Sequence, residues 1–179
     1  MTTPDPTPGV LATTARLALR ELVDADAPFV LRLLTDAGWL RWIGDRGVHS
    51  LDEAHGYIRT GPQAMLREHG VGLHVVDVAS PDGTASTAAG LCGLLRRDGH
   101  PDADLGFALL PEWRGRGLAA ESARAVLADA RERLGMARVA AFVAPGNAAS
   151  VAVLTGLGFA FEAATTLGGE PVEQFGVAL

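Results

Sequence analysis

The sequence predicts a single α/β domain, in which one mixed sheet carries helices on both faces. The chain has 179 residues, of which 48% are hydrophobic, which is enough for a full core but short for two independent domains. Short apolar runs with strand character alternate with amphipathic segments of helical spacing. No internal repeat and no low-complexity linker divides the chain after residue 15. One sheet covered by helices is the architecture that fits this pattern best.

The start of the chain differs in composition from the rest. Residues 1–14 are rich in Pro and Thr and lack the basic start and apolar run of a signal peptide. We therefore expect a mobile leader over 1–14 and the domain over 15–179. The single cysteine, Cys92, lies in the apolar stretch GLCGLL, which predicts a buried thiol in a reducing compartment. No apolar segment approaches the roughly 20 residues needed to cross a bilayer, so a cytoplasmic protein is expected.

The charge of the chain excludes some classes of partner. Asp and Glu outnumber Lys and Arg by 21 to 15, and the net charge is −6. Such a chain has no basic field for nucleic acid or an anionic membrane, and it mildly favours cationic partners. The 5 histidines show neither H-x-x-x-H nor H-E-x-x-H spacing, and only 1 cysteine is present. We therefore predict no metal site.

The first predicted strand and helix follow the leader. In ARLALREL, residues 15–22, apolar and polar side chains alternate as in a strand with one buried face. The next segment, PFVLRLLTDA, has apolar residues at helical spacing. Asp24 and Asp26 are available as N-caps, and Pro28 is tolerated in a first turn. A short first helix is predicted here.

A second helical region is predicted over residues 51–68. Ser50 and Glu53 form an S-x-x-E capping box, in which hydroxyl and carboxylate satisfy free amides at a helix start. Gly61 and Pro62 interrupt the region, so we expect it in two pieces.

From Gly72 onward the pattern becomes one of short apolar runs. GLHVVDVA, AGLCGLLRR and DLGFALL predict three strands joined by hairpins. RGLAAESARAVLADARERLG is amphipathic and predicts a helix closed by Gly135. RVAAFVAP predicts a strand, NAASVAVLTGL a short helix, and GFAFEAAT and EQFGVAL two last strands. The predicted order is β-α-α-β-β-β-α-β-α-β-β.

The segment DLGFALLPEWRGRGLAAES, residues 104–122, predicts an anion site between a strand and a helix. Gly115 and Gly117 remove side chains where the chain turns, so free amides at the helix N-terminus can point at an anion. The helix dipole adds to this attraction, and Arg114 and Arg116 can contact phosphate or solvent directly.

The same turn has other interpretations. An isolated G-x-G is also consistent with a purely structural strand-to-helix turn. GRGLAA matches the G-x-G-x-x-A of dinucleotide-binding folds, but the following strand ends in AFVAPGN, without the acid that holds a ribose. A P-loop is excluded because the G-K-[ST] ending is missing.

Two separated motifs resemble the GNAT superfamily of N-acetyltransferases. The first spans Glu112 to Gly117, followed by Leu118 and Ala119, and is similar to the pyrophosphate motif Q/R-x-x-G-x-G/A. Glu112 departs from Gln or Arg as in the ribosomal-protein acetyltransferase-like branch, which has L-x-P-E-x-x-G-x-G. WIGDRGVHSLDEAHGYI also resembles a bacterial subgroup with I-G-D-R-x-V at this place.

The second motif lies near the end of the chain. NAASVAVLTGLGFAFE resembles the N-x-x-S-x-x-x-L-x-x-x-G-F of the same branch, with Asn147 and Ser150 in place. Gly156 stands where the family usually has Lys or Arg. That departure leaves open a weaker contact near the CoA or simply a shorter helix.

The resemblance implies the GNAT fold and an acetyl-CoA site. The fold is one mixed sheet of about seven strands with helices on both faces, whose fourth and fifth strands splay apart. In the family the pantetheine arm enters this gap and pairs with the fourth strand, with a backbone amide near Leu109 as oxyanion donor. Asn147 would bond the arm, although an Asn here is also a good helix N-cap. The implied cofactor-binding residues are Phe107, Leu109, Leu110, Arg114, Gly115, Arg116, Gly117, Leu118, Ala119, Asn147 and Ser150.

The resemblance also implies direct acetyl transfer to a primary amine. An α-amino group has a pKa of about 8, whereas that of a lysine side chain is about 10.4. A weak base acting through water therefore suffices to remove the proton from an α-amino group. Ser150 matches a serine near the thioester sulfur, and its hydroxyl would hydrogen-bond the leaving thiolate, unless it is only a surface serine. Asp104 and Glu173 rank together as the general base, with Glu170 as a neighbouring choice. Each of these acids is also consistent with an ordinary exposed carboxylate.

Acceptor contacts are expected between the first two helices. The candidates are Trp39, Trp42, Asp45, Arg46 and Tyr57, for which packing and capping are the other interpretation, with at least one Trp in the core. The resemblance favours a protein N-terminus or a small amine as acceptor, and a monomer or homodimer. The competing hypothesis is a CoA-binding or interaction module without catalysis, because a fold does not fix a function.

Overall fold

In the computed structural model, which describes residues 9–179, eight strands form one open sheet. The strands are β1 (Val10–Thr13), β2 (Leu17–Arg20), β3 (Leu73–Ala79), β4 (Ser86–Leu95), β5 (Asp104–Leu109), β6 (Arg138–Val143), β7 (Ala160–Leu167) and β8 (Glu170–Ala178). Their order across the sheet is β1-β2-β3-β4-β5-β6-β8-β7. The helices are α1 (Ala27–Leu34), α2 (Ala37–Trp42), α3 (Leu51–Thr60), α4 (Pro62–His69), α5 (Leu118–Glu132) and α6 (Ala148–Gly156).

The sheet has one strand more than expected, at its start. Val10–Thr13 pairs antiparallel with β2, and Leu11 packs against the core. The predicted mobile leader over 1–14 is therefore wrong for Val10–Thr13, which form a strand of the sheet. Residues 1–8 of the leader lie outside the described residues. The short strand was missed because it has no clear alternation of its own and takes its partner from β2.

A further helix, α2, lies between the first two predicted helices, and it includes Trp39 and Trp42, whose three-residue spacing predicted a shared helical face. The Asp36 side chain caps it by accepting hydrogen bonds from the amides of Gly38 (2.9 Å) and Trp39 (3.2 Å). Gly38 lowers the helix propensity of this six-residue segment, so the spacing of apolar residues did not predict where the helix begins and ends. Trp39 and Trp42 therefore lie on a helix.

The predicted boundaries of the second helical region are confirmed, whereas α1 has no side-chain cap from Asp26 and α5 ends at Glu132, three residues before the predicted Gly135. Ser50 Oγ accepts from Glu53 N at 3.2 Å, and Glu53 Oε2 accepts in return from His49 N at 2.8 Å. The second helical region breaks at Gly61 into α3 and α4, with Pro62 at the start of α4.

Two apolar clusters hold the sheet between its helical layers. Val75 and Val76 are adjacent on β3 and point to opposite faces. Val75 joins the cluster beneath α1 and α3, and Val76 joins the cluster beneath α5. Cys92 is fully buried in the second cluster, and burial raises the pKa of its thiol to about 12. Within residues 9–179 no helix is long and apolar enough to cross a membrane.

The expected separation of the fourth and fifth predicted strands is present. These strands are β5 and β6 here, because β1 precedes the first predicted strand. These strands run parallel and share the pair Asp104 and Ala140, where Ala140 N donates to Ala103 O at 2.9 Å. Beyond this pair the described parts of the two strands share no further ladder, whereas β5 stays paired with β4 up to Leu109. A gap therefore opens toward the carboxyl ends of β5 and β6, where two helices begin.

Candidate active site

The glycine turn lies at the mouth of this gap. After β5 the chain makes a 3₁₀ turn over Pro111–Trp113, and Gly115 and Gly117 then take φ values of +72° and +74°. A side chain would strain the backbone in this left-handed region. Among residues 9–179, a Cβ on Gly115 would meet nothing within 4 Å, and one on Gly117 would meet only Arg16 Nη2, at 3.5 Å. The glycines therefore serve the conformation of the turn and leave open space before it.

The N-terminus of α5 faces this open space without a side-chain cap. Gly117 is the N-cap residue and offers no oxygen to the first-turn amides. The guanidinium of exposed Arg116 lies over the Trp113 ring, 5.1 Å from its centroid. Free amides, a positive helix end and one arginine at the rim are the features of an anion cradle.

Two side chains of the β1–β2 turn, Thr14 and Arg16, form a clasp that contacts this cradle. Arg16 Nε donates to Glu121 Oε2 at 2.7 Å, and Arg16 Nη1 donates to the Arg116 carbonyl at 2.9 Å. Thr14 Oγ1 donates to Glu121 Oε1 at 2.5 Å. The clasp pulls a carbonyl of the turn toward β2. Sequence reasoning missed Arg16 because its partners are about a hundred residues away.

The edge of β5 presents backbone groups to the gap. Leu110 N donates to Ala89 O at 2.9 Å, so Gly90 and Leu109 form a non-hydrogen-bonded antiparallel pair. The N–H and C=O of Leu109 therefore point away from β4, and the same alternation applies to Phe107. These are the groups on which the expected cofactor pairing depends.

Two of the expected cofactor contacts are engaged within the protein itself. Leu110 has both backbone groups engaged, because its carbonyl also accepts from Trp113 N at 3.0 Å, and its side chain is buried. Arg114 turns away from the cradle: its Nε donates to Leu109 O at 2.9 Å, and its Nη2 pairs with Asp36. The N–H of Leu109 and both backbone groups of Phe107 are left for a ligand.

The opposite rim is the start of α6, just after β6. Asn147 Oδ1 accepts from Ser150 N at 3.2 Å, so the N-cap interpretation of Asn147 is confirmed. An amide group that accepts through its oxygen still has its nitrogen to donate. Ser150 is partly exposed in the first turn of α6. The gap is thus flanked by the N-termini of α5 and α6.

The structure does not bring the three candidate catalytic side chains together. Asp104 lies at the closed end of the gap, 1% exposed, and its oxygens accept from Arg97 Nε (2.8 Å) and Nη2 (3.1 Å). Burial raises its pKa although Arg97 opposes this. A carboxylate with both oxygens held by arginine is poorly placed to take a proton from an amine.

Glu173 and Glu170 lie on the last strand. Glu173 is half-buried opposite Val143, near the open end of β6. It shares a face with Phe175, which packs in the cluster beneath α5. Glu170 is exposed at the far end of β8, opposite Leu167. Of the three candidate acids, Glu173 alone lies near the open gap without an arginine on its carboxylate among the described residues.

The acceptor candidates lie on the face of the sheet opposite α5. They belong to α2, to α3 and to the loop between these helices. Trp39 is 5% exposed, so the expectation of at least one core Trp is confirmed, and its indole N–H is buried without a hydrogen-bond partner in the described residues. Arg41 stacks on Trp42, 4.4 Å from the ring centroid. The N-cap Asp36 joins this region to the gap through Arg114.

The loop residues mostly stabilise the loop itself. Asp45 Oδ1 accepts from Gly47 N at 2.7 Å, and Arg46 Nη2 donates to Ile43 O at 3.4 Å. Desolvation raises the pKa of Tyr57, and the charge of Arg46 lowers it by less.

Comparison with known proteins agrees with this architecture. A family model described as an acetyltransferase (GNAT) domain matches residues 16–160. The chain belongs to the GNAT acetyltransferase family. It is therefore an acyltransferase. A curated relative, an uncharacterized N-acetyltransferase YoaA of Bacillus subtilis, is 28% identical over 148 residues, which cover 82% of this chain and 80% of that protein.

Solved structures share the fold of this GNAT protein. An acetyltransferase from Agrobacterium tumefaciens matches with a TM-score of 0.79 at 24% identity, covering 99% of this chain and 98% of that one. The ribosomal alpha-N-protein acetyltransferase RimL in complex with coenzyme A matches with 0.78 at 18%, covering 96% and 98%. Spermidine N-acetyltransferase from Vibrio cholerae, with CoA and spermine, matches with 0.73 at 20%, covering 92% and 96%. At these identities the likeness establishes the fold.

Proposed function

We propose that this GNAT protein transfers an acetyl group from acetyl-CoA to a primary amine, by direct attack of the amine on the bound thioester. The observation that carries the proposal is the gap between β5 and β6, with a free backbone edge on one side and two helix N-termini at its mouth. A narrow gap with an anion cradle at its opening fits a ligand that has a phosphate end and a long thin arm.

The residues present fit acetyl-CoA at three points. The open space before Gly115 and Gly117 suits a pyrophosphate on the amides of α5, with Arg116 at the rim. The edge groups of Phe107 and Leu109 suit the amides of the arm. The free amide nitrogen of Asn147 can donate to the arm across the mouth. CoA is bound in the RimL and spermidine acetyltransferase structures of the same fold.

The chemistry assigns one task to each residue. The Leu109 N–H points into the gap and would stabilise the oxyanion that forms as the amine adds to the carbonyl. The Ser150 hydroxyl would donate to the departing thiolate. Asp104 is held by Arg97, so we assign proton removal to Glu173 acting through water, which suffices for an amine of low pKa.

We propose a protein N-terminus as the first acceptor class to test, with a small amine second. RimL acts on a ribosomal protein α-amino group by its name, and the Vibrio cholerae enzyme on spermidine. The net charge of −6 is favourable to either cationic acceptor. We place the reaction in the cytoplasm, in line with the buried unpaired Cys92. Whether the protein acts as a monomer or a homodimer stays a prediction.

A CoA-binding module without catalysis is the competing function. The Asp104–Arg97 pair and the lack of a basic residue at Gly156 favour it. A thiol-release assay separates the two functions, because a module binds CoA while no amine accelerates thiol release. The panel should begin with peptides that have free N-termini, followed by spermine.

Calorimetric titration with acetyl-CoA and with NAD tests the site itself. Gly117→Trp should abolish acetyl-CoA binding, because the side chain fills the cradle. Gly99→Trp is the matched control: Gly99 also has a positive φ, of +79°, and open space around it, but it lies in the β4–β5 hairpin. Unchanged acetyl-CoA affinity in Gly117→Trp would overturn the pyrophosphate assignment. NAD should not bind either variant or the parent protein.

A further inference from the structure

Arg114 belongs to the cofactor motif by sequence, yet its guanidinium contacts two other parts of the protein. Its Nε donates to the carbonyl of Leu109, on the gap edge of β5, at 2.9 Å. Its Nη2 forms an ion pair with Asp36, at the start of α2. One side chain therefore spans from the cofactor strand to the acceptor-side helix.

Asp36 uses one oxygen for all of these contacts. Its Oδ2 accepts from Arg114 and from the amides of Gly38 (2.9 Å) and Trp39 (3.2 Å). Burial alone would raise the pKa of Asp36, but the hydrogen bonds from Arg114 and the two amides outweigh it and lower the pKa. The carboxylate stays ionised, so the ion pair and the helix cap hold together at neutral pH.

Gly38 leaves room for this arrangement. A Cβ at this position would lie 2.9 Å from Arg114 Nη1, from Arg114 Nη2 and from Asp36 Oδ2. Any larger residue would push the guanidinium away from the carboxylate. A glycine that weakens a six-residue helix has a clear use here, because it lets the arginine reach the cap.

We propose that Arg114 is a positioning residue that ties α2 to the gap edge of β5, and that it does not bind the cofactor phosphate. The inference rests on the proposed acetyl transfer. Its consequence is that the acceptor side, with Trp39 on α2, keeps a fixed distance from the Leu109 N–H that would stabilise the oxyanion. Breaking the tie should disturb the acceptor and spare the cofactor.

Two substitutions break the tie from opposite ends. Asp36→Asn removes the charge but keeps a side-chain oxygen for the helix cap, since Asn caps as well as Asp. Arg114→Gln removes the arginine fork. Arg32→Gln is the matched control, because Arg32 pairs with Glu112 at 2.7 Å and also joins a helix to this turn, without touching Leu109 or α2.

Three measurements are made on the single variants, the double variant and the control. Calorimetry gives the acetyl-CoA Kd. Thiol release at saturating acetyl-CoA gives kcat and KM for a short peptide with a free N-terminal serine, and for spermine. Hydrogen exchange at residues 37–43, with and without acetyl-CoA, reports on α2 and needs no acceptor.

The expected results are specific to the tie. The acetyl-CoA Kd should stay within about twofold in every variant, since no phosphate contact is lost. The acceptor KM should rise about fivefold in each single variant, with kcat lowered less, and rise no further in the double variant. Exchange at α2 should quicken equally in both single variants. Arg32→Gln should change none of these.

Other outcomes would overturn the proposal. Acetyl-CoA binding weakened about tenfold in Arg114→Gln but not in Asp36→Asn would make Arg114 a phosphate ligand. Additive effects in the double variant would show that the two residues act separately. If neither amine is acetylated, the tie is still supported when exchange at α2 quickens by the same factor in both single variants and by no more in the double variant. Exchange unchanged from that of the parent protein refutes the tie. Failure of the parent protein to bind acetyl-CoA would instead refute the proposed function.

Discussion

Replacing Arg16 by Met should weaken acetyl-CoA binding although the Arg16 guanidinium is engaged with Glu121 and with the Arg116 carbonyl. The substitution keeps an unbranched stem and removes the donors to Glu121 (2.7 Å) and to the Arg116 carbonyl (2.9 Å). The freed carbonyl can then turn toward the phosphate site, and Glu121 loses its cationic partner there. Both changes place negative charge near an anion.

The size of the effect follows from exposure. The Arg16 side chain is 49% exposed and that of Glu121 is 19% exposed, so the ion pair contributes about 0.2–1 kcal/mol to folding. The hydrogen bond from a charged donor to the Arg116 carbonyl adds about 1 kcal/mol after solvent screening. We expect a loss of about 1–2 kcal/mol in the free energy of unfolding. A similar loss in cofactor binding is about 5- to 30-fold in Kd.

Calorimetry with CoA and with pantetheine is the assay. Pantetheine lacks the phosphates, so its affinity should be unchanged in Arg16→Met while that of CoA falls. Arg133→Met is the matched control, since Arg133 pairs with Asp129 on α5 at 2.6 Å and the two side chains are 50% and 15% exposed. It should cost similar stability and leave both affinities unchanged. Equal weakening of CoA and pantetheine, or no weakening of CoA, would refute the reasoning.

Four further predictions address the proposed chemistry and two buried groups. Ser150→Ala should lower kcat about 10- to 100-fold in the thiol-release assay, with an unchanged acetyl-CoA Kd. Glu173→Gln should remove the acidic limb of the pH–rate profile, and Asp104→Asn should retain it. Burial raises the pKa of Asp104 in the folded protein. Its contribution to stability is therefore full below the unfolded-state pKa and falls as pH rises through the folded-state pKa. In urea titrations from acid to neutral pH, Asp104→Asn should flatten this fall. Cys92, with a thiol pKa of about 12, should react with iodoacetamide only after unfolding.

Local sequence signals predicted most of the fold correctly. The capping box at Ser50, the break at Gly61 and the strand–turn–helix around Gly117 depend on residues within a few positions of one another. Such signals can be read without knowing the tertiary structure. The strand β1 depends instead on its partner strand β2 and has no strong local pattern.

The partners of the charged side chains were beyond sequence reasoning. Arg114 and Asp36 are 78 residues apart, and Arg16 and Glu121 are 105 apart. Nothing in the local sequence of either residue indicates the other. Arg97 is only 7 residues from Asp104, but the hairpin between them decides whether they meet. Asp104 was one of two general-base candidates because it matches an acid position of the resembled family, and such a match does not reveal an arginine across the turn.

These partners change how an anion would be held at the turn. Three arginines surround the cradle, and residue type alone would assign all of them to phosphate. Arg16 and Arg114 are engaged with carboxylates and backbone carbonyls, and of the three only Arg116 has no carboxylate partner within residues 9–179. In the proposed function, recognition of the phosphate would then depend mainly on the amides of α5 and on the left-handed turn that exposes them. This is why a glycine substitution in the turn should cost more affinity than the loss of Arg114.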